Sequence, residues 1–203
     1  MINAIIFDFG DIFINLDKET PIMEFKKLGL SNWNSELQAL NLDFETGKIT
    51  EADFLEGIQK HIPHASIKEI KSAWNTVLMD FPLIRLEFLQ KIASKYRLFL
   101  LSNTDSIHIE KFQDMVGISF YSDFYQCFEK VYFSFEMGAR KPDEETFNLI
   151  VQKHNLIPKQ TLFVDDSKEH TDVAASLGFQ TWNLQPGKED IINLFDNKTL
   201  FPL

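Results

Sequence analysis

The chain has 203 residues, with 20 Lys+Arg against 30 Asp+Glu, a formal net charge of −10 and a hydrophobic content of 44%. That balance belongs to a folded globular chain of one domain, or of a core carrying an insertion, and not to a disordered one. It offers no basic surplus to neutralise a nucleic-acid backbone, and no run approaches the roughly 18 apolar residues of a membrane helix, so neither nucleic acid nor membrane is an expected partner.

The elements follow in chain order. Ala4-Ile5-Ile6-Phe7, stopped by Asp8, reads as a buried strand; with no basic segment or cleavage site around it, it does not read as a signal peptide. From Leu16 to Phe81 only helical stretches are legible, punctuated by Gly29, Gly47 and Pro63 and opened by two capping boxes, Thr50-x-x-Asp53 and Ser66-x-x-Glu69. Leu83 to Tyr96 reads as a helix with Leu83, Leu86, Phe88, Leu89 and Ile92 on its apolar face. A second strand, Leu98-Phe99-Leu100-Leu101, stops at Ser102-Asn103, and a helix from Asp105 to Met115 follows with Thr104 as its N-cap. Cys127 is the single cysteine, which excludes an internal disulfide and suits a reducing cytoplasm. Val131-Tyr132-Phe133 is a weaker strand; Glu144 to His154 is a helix; Leu162-Phe163-Val164 is a strand stopped by Asp165-Asp166. His170 to Leu177 is a helix ending at Gly178, and Gln180-Thr181-Trp182 is the last strand. The alternation predicts an α/β, doubly wound parallel sheet over residues 1–15 and 82–203, with residues 16–81 as a small helical insertion after the first strand. Most of the 20 phenylalanines are expected to fill the core.

In an open parallel sheet ligands bind outside the carboxyl ends of the strands. That rule gathers Asp8, Ser102, Asn103, Asp165 and Asp166 at strand ends, with Lys141 in a loop before Pro142. Carboxylates held together repel unless a cation intervenes, and an oxygen-rich set suits Mg²⁺ bridging to a substrate phosphate. Ser102, Asn103 and Lys141 supply donors for phosphoryl oxygens, and a central carboxylate can attack phosphorus. The chemistry expected from these residue types is Mg²⁺-assisted phosphoryl transfer. Taken singly, each has a structural role open to it: a strand-ending Asp as a turn or cap residue, Ser102 and Thr104 as caps, Lys141 as a solvated loop residue.

The segments Ile5-Ile6-Phe7-Asp8-Phe9-Gly10, Leu100-Leu101-Ser102-Asn103-Thr104, Gly138-Ala139-Arg140-Lys141-Pro142 and Phe163-Val164-Asp165-Asp166 resemble, in order, the four motifs of the haloacid dehalogenase superfamily. They resemble most its sugar-phosphate phosphatases, the glucose-1-phosphate branch among them, whose first motif is Asp-x-Gly. The resemblance implies a Rossmann-like core with residues 16–81 as a cap, and Asp8 as a nucleophile that forms an aspartyl-phosphate. It implies Mg²⁺ held by Asp8, the Gly10 carbonyl and Asp166, with Asp165 beside them in an indirect role. Ser102 and Asn103 would hold phosphoryl oxygens, and Lys141 would offset the charge on Asp8 and phosphate. Gly10 departs from the commoner pattern, in which a second Asp protonates the leaving oxygen. Asp11 could substitute for that acid or simply make the turn; His170 stands where the family often has Asn or Asp, as a helix-surface residue or an outer neighbour of the metal. His61, His64, His108 and His154 show no ligand spacing.

The leading expectation is a cytoplasmic, Mg²⁺-dependent phosphatase of a small phosphorylated metabolite. Two other readings stay open: a catalytically degenerate scaffold that binds without turnover, and a 2-haloacid dehalogenase, against which the Asp165-Asp166 pair argues. A phosphoacceptor receiver also groups such residues, but its acidic pair comes early in the chain and it has no place for a helical insertion. Phe44, Phe54 and Trp74 are candidate substrate contacts in the cap, and a homodimer is compatible with the chain.

Overall fold

The computed structural model describes residues 1–198, 200 and 201. Its centre is a single five-stranded sheet of β1 (Ala4–Phe7), β2 (Arg97–Ser102), β3 (Lys130–Phe133), β4 (Thr161–Asp165) and β5 (Gln180–Asn183), in the order β3-β2-β1-β4-β5. All four pairings are parallel, and Phe7 lies level with Leu100 on one side and Val164 on the other. The central strands β1, β2 and β4 read as continuous apolar runs because both faces are covered. Ile5, Phe7, Leu98, Leu100, Leu162 and Val164 pack to one face against Leu86, Leu89 and Ile92 of α5 (Leu83–Ala93) and Phe112 and Phe124 of α6 (Ser106–Tyr125). Ala4, Ile6, Phe99, Leu101 and Phe163 pack to the other against Phe147 and Ile150 of α8 (Glu144–His154) and Ala174 of α9 (Lys168–Ser176). A fully buried side chain such as Phe99 or Phe163 contributes about 1.5–3 kcal/mol relative to exposure.

Between β1 and α5 the chain forms α1 (Thr20–Lys27), α2 (Ser35–Glu45), α3 (Glu51–Gln59) and α4 (Ile67–Asn75). Both expected capping boxes form: Thr50 and Asp53 exchange bonds of 3.0 and 3.2 Å at the start of α3, and Ser66 and Glu69 bonds of 2.8 and 3.3 Å at the start of α4. The four helices share an apolar cluster that includes Phe25, Leu37, Phe44, Phe54 and Ile70, to which Ile107 of α6 is added. Among the described residues this region holds no named strand, only two isolated bridges, Gly10 with Ile14 and an antiparallel one between Leu16 and Leu78 where the chain leaves and rejoins the sheet layer.

Several local expectations are corrected. The N-cap of α6 is Asp105, whose Oδ1 accepts the His108 N–H at 2.9 Å; the Thr104 N–H is instead donated to Ser134 Oγ at 3.0 Å. α6 runs on to Tyr125, past a break at Gly117, where φ is 77° and only glycine sits without strain. α5 ends at Ala93, short of Tyr96, and Leu83 at its first turn is 58% exposed, outside the buried face. α9 starts two residues earlier than the apolar pattern shows, at Lys168. Among the described residues no helix is long and apolar enough to cross a membrane.

Candidate active site

Parallel strands end on one edge of the sheet, so whatever follows β1, β2 and β4 meets there. Asp8 follows β1 directly, its N–H donated to Val164 O at 2.9 Å, which keeps it in line with the end of β4. Ser102 closes β2 and Asp165 closes β4. The loop after α7 (Ser134–Met137) brings in Lys141, and the side chain of Asn103 fixes that loop from both sides of one residue. Its Oδ1 accepts the Lys141 N–H at 2.9 Å and its Nδ2 donates to the Lys141 carbonyl at 2.8 Å.

The Lys141 ammonium is fully buried and lies 2.7 Å from Asp8 Oδ1 and 2.7 Å from Asp165 Oδ2. Burial by itself would favour the neutral amine, but Asp165 and Asp8 hold the proton on and raise its pKa. One ammonium cannot balance two buried carboxylates, and the shortfall falls on Asp8. Burial pushes its pKa up to about 7 against the pull of Lys141, with Asp165 adding to the rise. Asp165, by contrast, is held below the usual carboxylate range despite its burial, because Lys141 is joined by His170. His170 Nδ1 lies 3.0 Å from Asp165 Oδ1, which also accepts the Ser167 N–H at 2.8 Å.

Asp166 is paired with Lys18 at 2.9 Å, and the same ammonium reaches Asp11 at 2.8 Å. Asp11 has a left-handed φ of 57° and accepts the Leu16 N–H at 3.0 Å, the geometry of a turn. Asp8, Asp165 and Asp166 can each present an oxygen within 4.8 Å of the others. An all-oxygen donor set with an excess of negative charge fits Mg²⁺. Since Lys141, His170 and the Ser167 N–H already engage both oxygens of Asp165, the carboxylates freer to meet a cation are Asp8 and Asp166.

These groups open on a crevice of about 710 Å³, lined on the sheet side by Asp8, Gly10, Ser102, Asn103, Lys141, Asp166 and His170. Its opposite wall comes from the helical insertion: Gln38, Asn41 and Glu45 on one side of α2, which went unread in the sequence, with Trp74, a candidate contact from the sequence, at the end of α4. Glu45 is fixed by Arg140 Nε at 3.0 Å. Phe44 and Phe54 are buried against each other at 4.4 Å between ring centroids, inside the insertion, and only Trp74 of the three candidate aromatics reaches the crevice. His108 also lines it, 3.0 Å from Asp105 Oδ2 through Nδ1 and 3.2 Å from the Trp74 carbonyl through Nε2. The His108 signal was present as Asp105-x-x-His108, an i,i+3 pair on a helix.

Fold and crevice together define a doubly wound α/β protein with a carboxylate centre ready for a divalent cation. Residues 2–178 match the family described as haloacid dehalogenase-like hydrolase, and the chain belongs to that family. D-ribitol-5-phosphate phosphatase of Bacteroides thetaiotaomicron is 27% identical over 195 residues, 93% of this chain and 95% of that one. The HAD family enzyme bt-2542 of the same organism, solved as the wild-type complex with magnesium and inorganic phosphate, is 36% identical over 93% of this chain and 97% of its own, with a TM-score of 0.82. A HAD-like family hydrolase of Porphyromonas gingivalis is 28% identical, with 100% and 99% of the two chains covered and a TM-score of 0.87. The enzyme class is phosphoric monoester hydrolase, with Mg²⁺ as cofactor.

Proposed function

We propose that the protein dephosphorylates a small sugar or alditol phosphate through an aspartyl-phosphate formed on Asp8. The observation that carries this is the placement of the Asp8 carboxylate at the mouth of β1, held through Oδ1 by a buried lysine beside the Asp165-Asp166 pair. Asp8 forms the bond to phosphorus while the ester P–O bond breaks, and water then releases phosphate from the acyl-phosphate. Lys141 keeps Asp8 oriented and offsets charge on the phosphoryl group. The Ser102 hydroxyl and the remaining N–H of Asn103 hold phosphoryl oxygens. Asp8, Asp166 and the Gly10 carbonyl would hold Mg²⁺, with Asp165 acting indirectly through Lys141; the ion supplies neutralising charge for the transferring phosphoryl group. Asp11 belongs to the turn and to Lys18, not to the leaving oxygen.

Residues 16–81 act in this scheme as the cap. Gln38, Asn41 and the Glu45–Arg140 pair give the crevice an edge of hydrogen-bonding groups suited to hydroxyls, which supports a polyhydroxylated leaving group, and the ribitol-phosphate relative points the same way. Phosphate release from a panel of sugar, alditol and acyl phosphates and p-nitrophenyl phosphate tests the scheme. Turnover is expected with Mg²⁺, lost with chelator and lost in Asp8→Asn with the fold intact by circular dichroism. Retained turnover in that variant would refute the mechanism.

A further inference from the structure

Beyond the catalytic crevice lies a second cavity of about 350 Å³ inside the helical insertion. Its walls are Pro21, Ile22, Phe25, Leu30, Trp33 and Trp74. It is continuous with the crevice, since Lys18, Asn41, Trp74, Val77 and His108 line both. An aromatic file runs along the junction: Trp33 stacks on Trp74 at 5.7 Å and 15°, and Trp74 stacks on His108 at 5.2 Å and 10°. Phe25 closes the far side at 5.5 Å from Trp33. Both ring nitrogens of His108 face acceptors, Asp105 and the Trp74 carbonyl, which fixes the ring flat against Trp74. Lys18 is paired with Asp11 and Asp166 and His108 with Asp105, so apart from these groups, Lys26, Asn32 and Asn41 the lining is apolar.

An apolar chamber joined to the proposed phosphate-handling crevice fits one end of an amphiphilic anion whose other end is the phosphate. We propose that the chamber receives an apolar or aromatic part of the substrate's organic group, so that the enzyme also hydrolyses phosphomonoesters of arylalkyl alcohols. The proposal rests on the phosphatase reading above and extends it. The ester P–O bond breaks, Asp8 and then water take up the phosphoryl group, and the arylalkyl alcohol leaves with a proton from solvent. Hydroxyls near the phosphate would face Gln38 and Asn41, while a ring further along would lie on the indoles, where sugars and polyols have nothing to place.

The test compares 2-phenylethyl phosphate with ethyl phosphate in the Mg²⁺-loaded protein, two primary alkyl esters with leaving oxygens of similar basicity. Burying a ring of phenylalanine size predicts a kcat/KM at least about tenfold higher for the phenylethyl ester. The same preference is expected in the affinities of the unhydrolysable 2-phenylethyl- and ethylphosphonates, read by tryptophan fluorescence. Ile22 lies at the chamber wall and is 53% exposed, so Ile22→Trp fills the chamber without disturbing the core and should bring both ratios toward one at unchanged melting temperature. Ratios within twofold, with ethyl phosphate and polyol phosphates still turned over in an Asp8-dependent way, would overturn the chamber's role and leave the phosphatase standing. Hydrolysis of no ester by the folded, Mg²⁺-loaded protein would overturn both.

Discussion

Lys141 and Gly10 are the single residues on which the proposed chemistry can be tested most directly. Lys141 is buried between two carboxylates, and removing one partner of a buried charge network strands the others. Lys141→Met is therefore expected to lower stability by about 3–5 kcal/mol in chemical denaturation, besides losing turnover; a variant as stable as the wild type would show that Asp8 and Asp165 do not need the ammonium. Gly10 faces the crevice, and a Cβ built there would meet Leu16 Cδ1 at 2.7 Å, the far end of a flexible side chain that can move. Gly10→Asp should thus fold and give the crevice a proton donor, a function worth about 10²–10⁴-fold in favourable geometry. The expected outcome is at least a tenfold gain, on the low side of that range, for alkyl phosphates with no comparable gain for p-nitrophenyl phosphate, whose leaving group needs little protonation. Equal changes for both esters would show that the new carboxyl does not act on the leaving oxygen.

At the scale of elements, α4 and α6 are joined by a compact contact: Trp74 Nε1 donates to Asp105 Oδ2 at 3.0 Å, and His108 donates back to the Trp74 carbonyl. Burial opposes the His108 charge, but Asp105 prevails and raises its pKa from the usual 6.5, with Glu45 adding to the field. Asp105 is likewise depressed by His108 against its burial. A raised histidine pKa gives stability that is complete below the unfolded value and lost as pH rises through the folded one; the depressed Asp105 gives stability lost as pH falls through its own folded value. His108→Gln should accordingly melt below the wild type near pH 6, with the gap narrowing in alkaline buffer. A gap independent of pH would show that the imidazole is neutral. The elements themselves were largely legible, for reasons visible in particular residues. The three central strands are apolar runs cut by a polar residue, and Thr50 and Ser66 announce their helices through Asp53 and Glu69. Asp105 was missed as the cap of α6 because Thr104 beside it is an equally good capping type, and only the bond from the His108 N–H to Asp105 Oδ1 distinguishes them. The polar side of α2 was opaque for another reason. Gln38, Asn41 and Glu45 have the spacing of an ordinary polar face flanking Leu37 and Phe44, and only the fold turns that face toward Asp8.

For the whole molecule, the gathered carboxylates make cation binding part of the folding equilibrium. A ligand that binds only the folded state at 100 times its Kd adds about 2.7 kcal/mol. Saturating Mg²⁺ should raise the melting temperature, chelator should reverse it, and Asp166→Asn should abolish most of the shift; an equal shift in that variant would place the ion elsewhere. The gathering of Asp8, Ser102, Lys141 and the acidic pair at one sheet edge was foreseeable because parallel strands share an edge. The chamber beside Trp33 and Trp74 was not, since indoles at a cavity and indoles in a core have the same sequence signature. The strand order has one more consequence. β1 is the central strand, yet Ala4 pairs with Arg97 on one side and Thr161 on the other. During synthesis the segment bearing Asp8 waits through the whole helical insertion for its first neighbour, and until β4 emerges for its second. The centre is assembled only when nearly all of the sheet has been made, so a ribosome-bound chain halted before Thr161 has neither Asp165 nor a complete seat for Asp8.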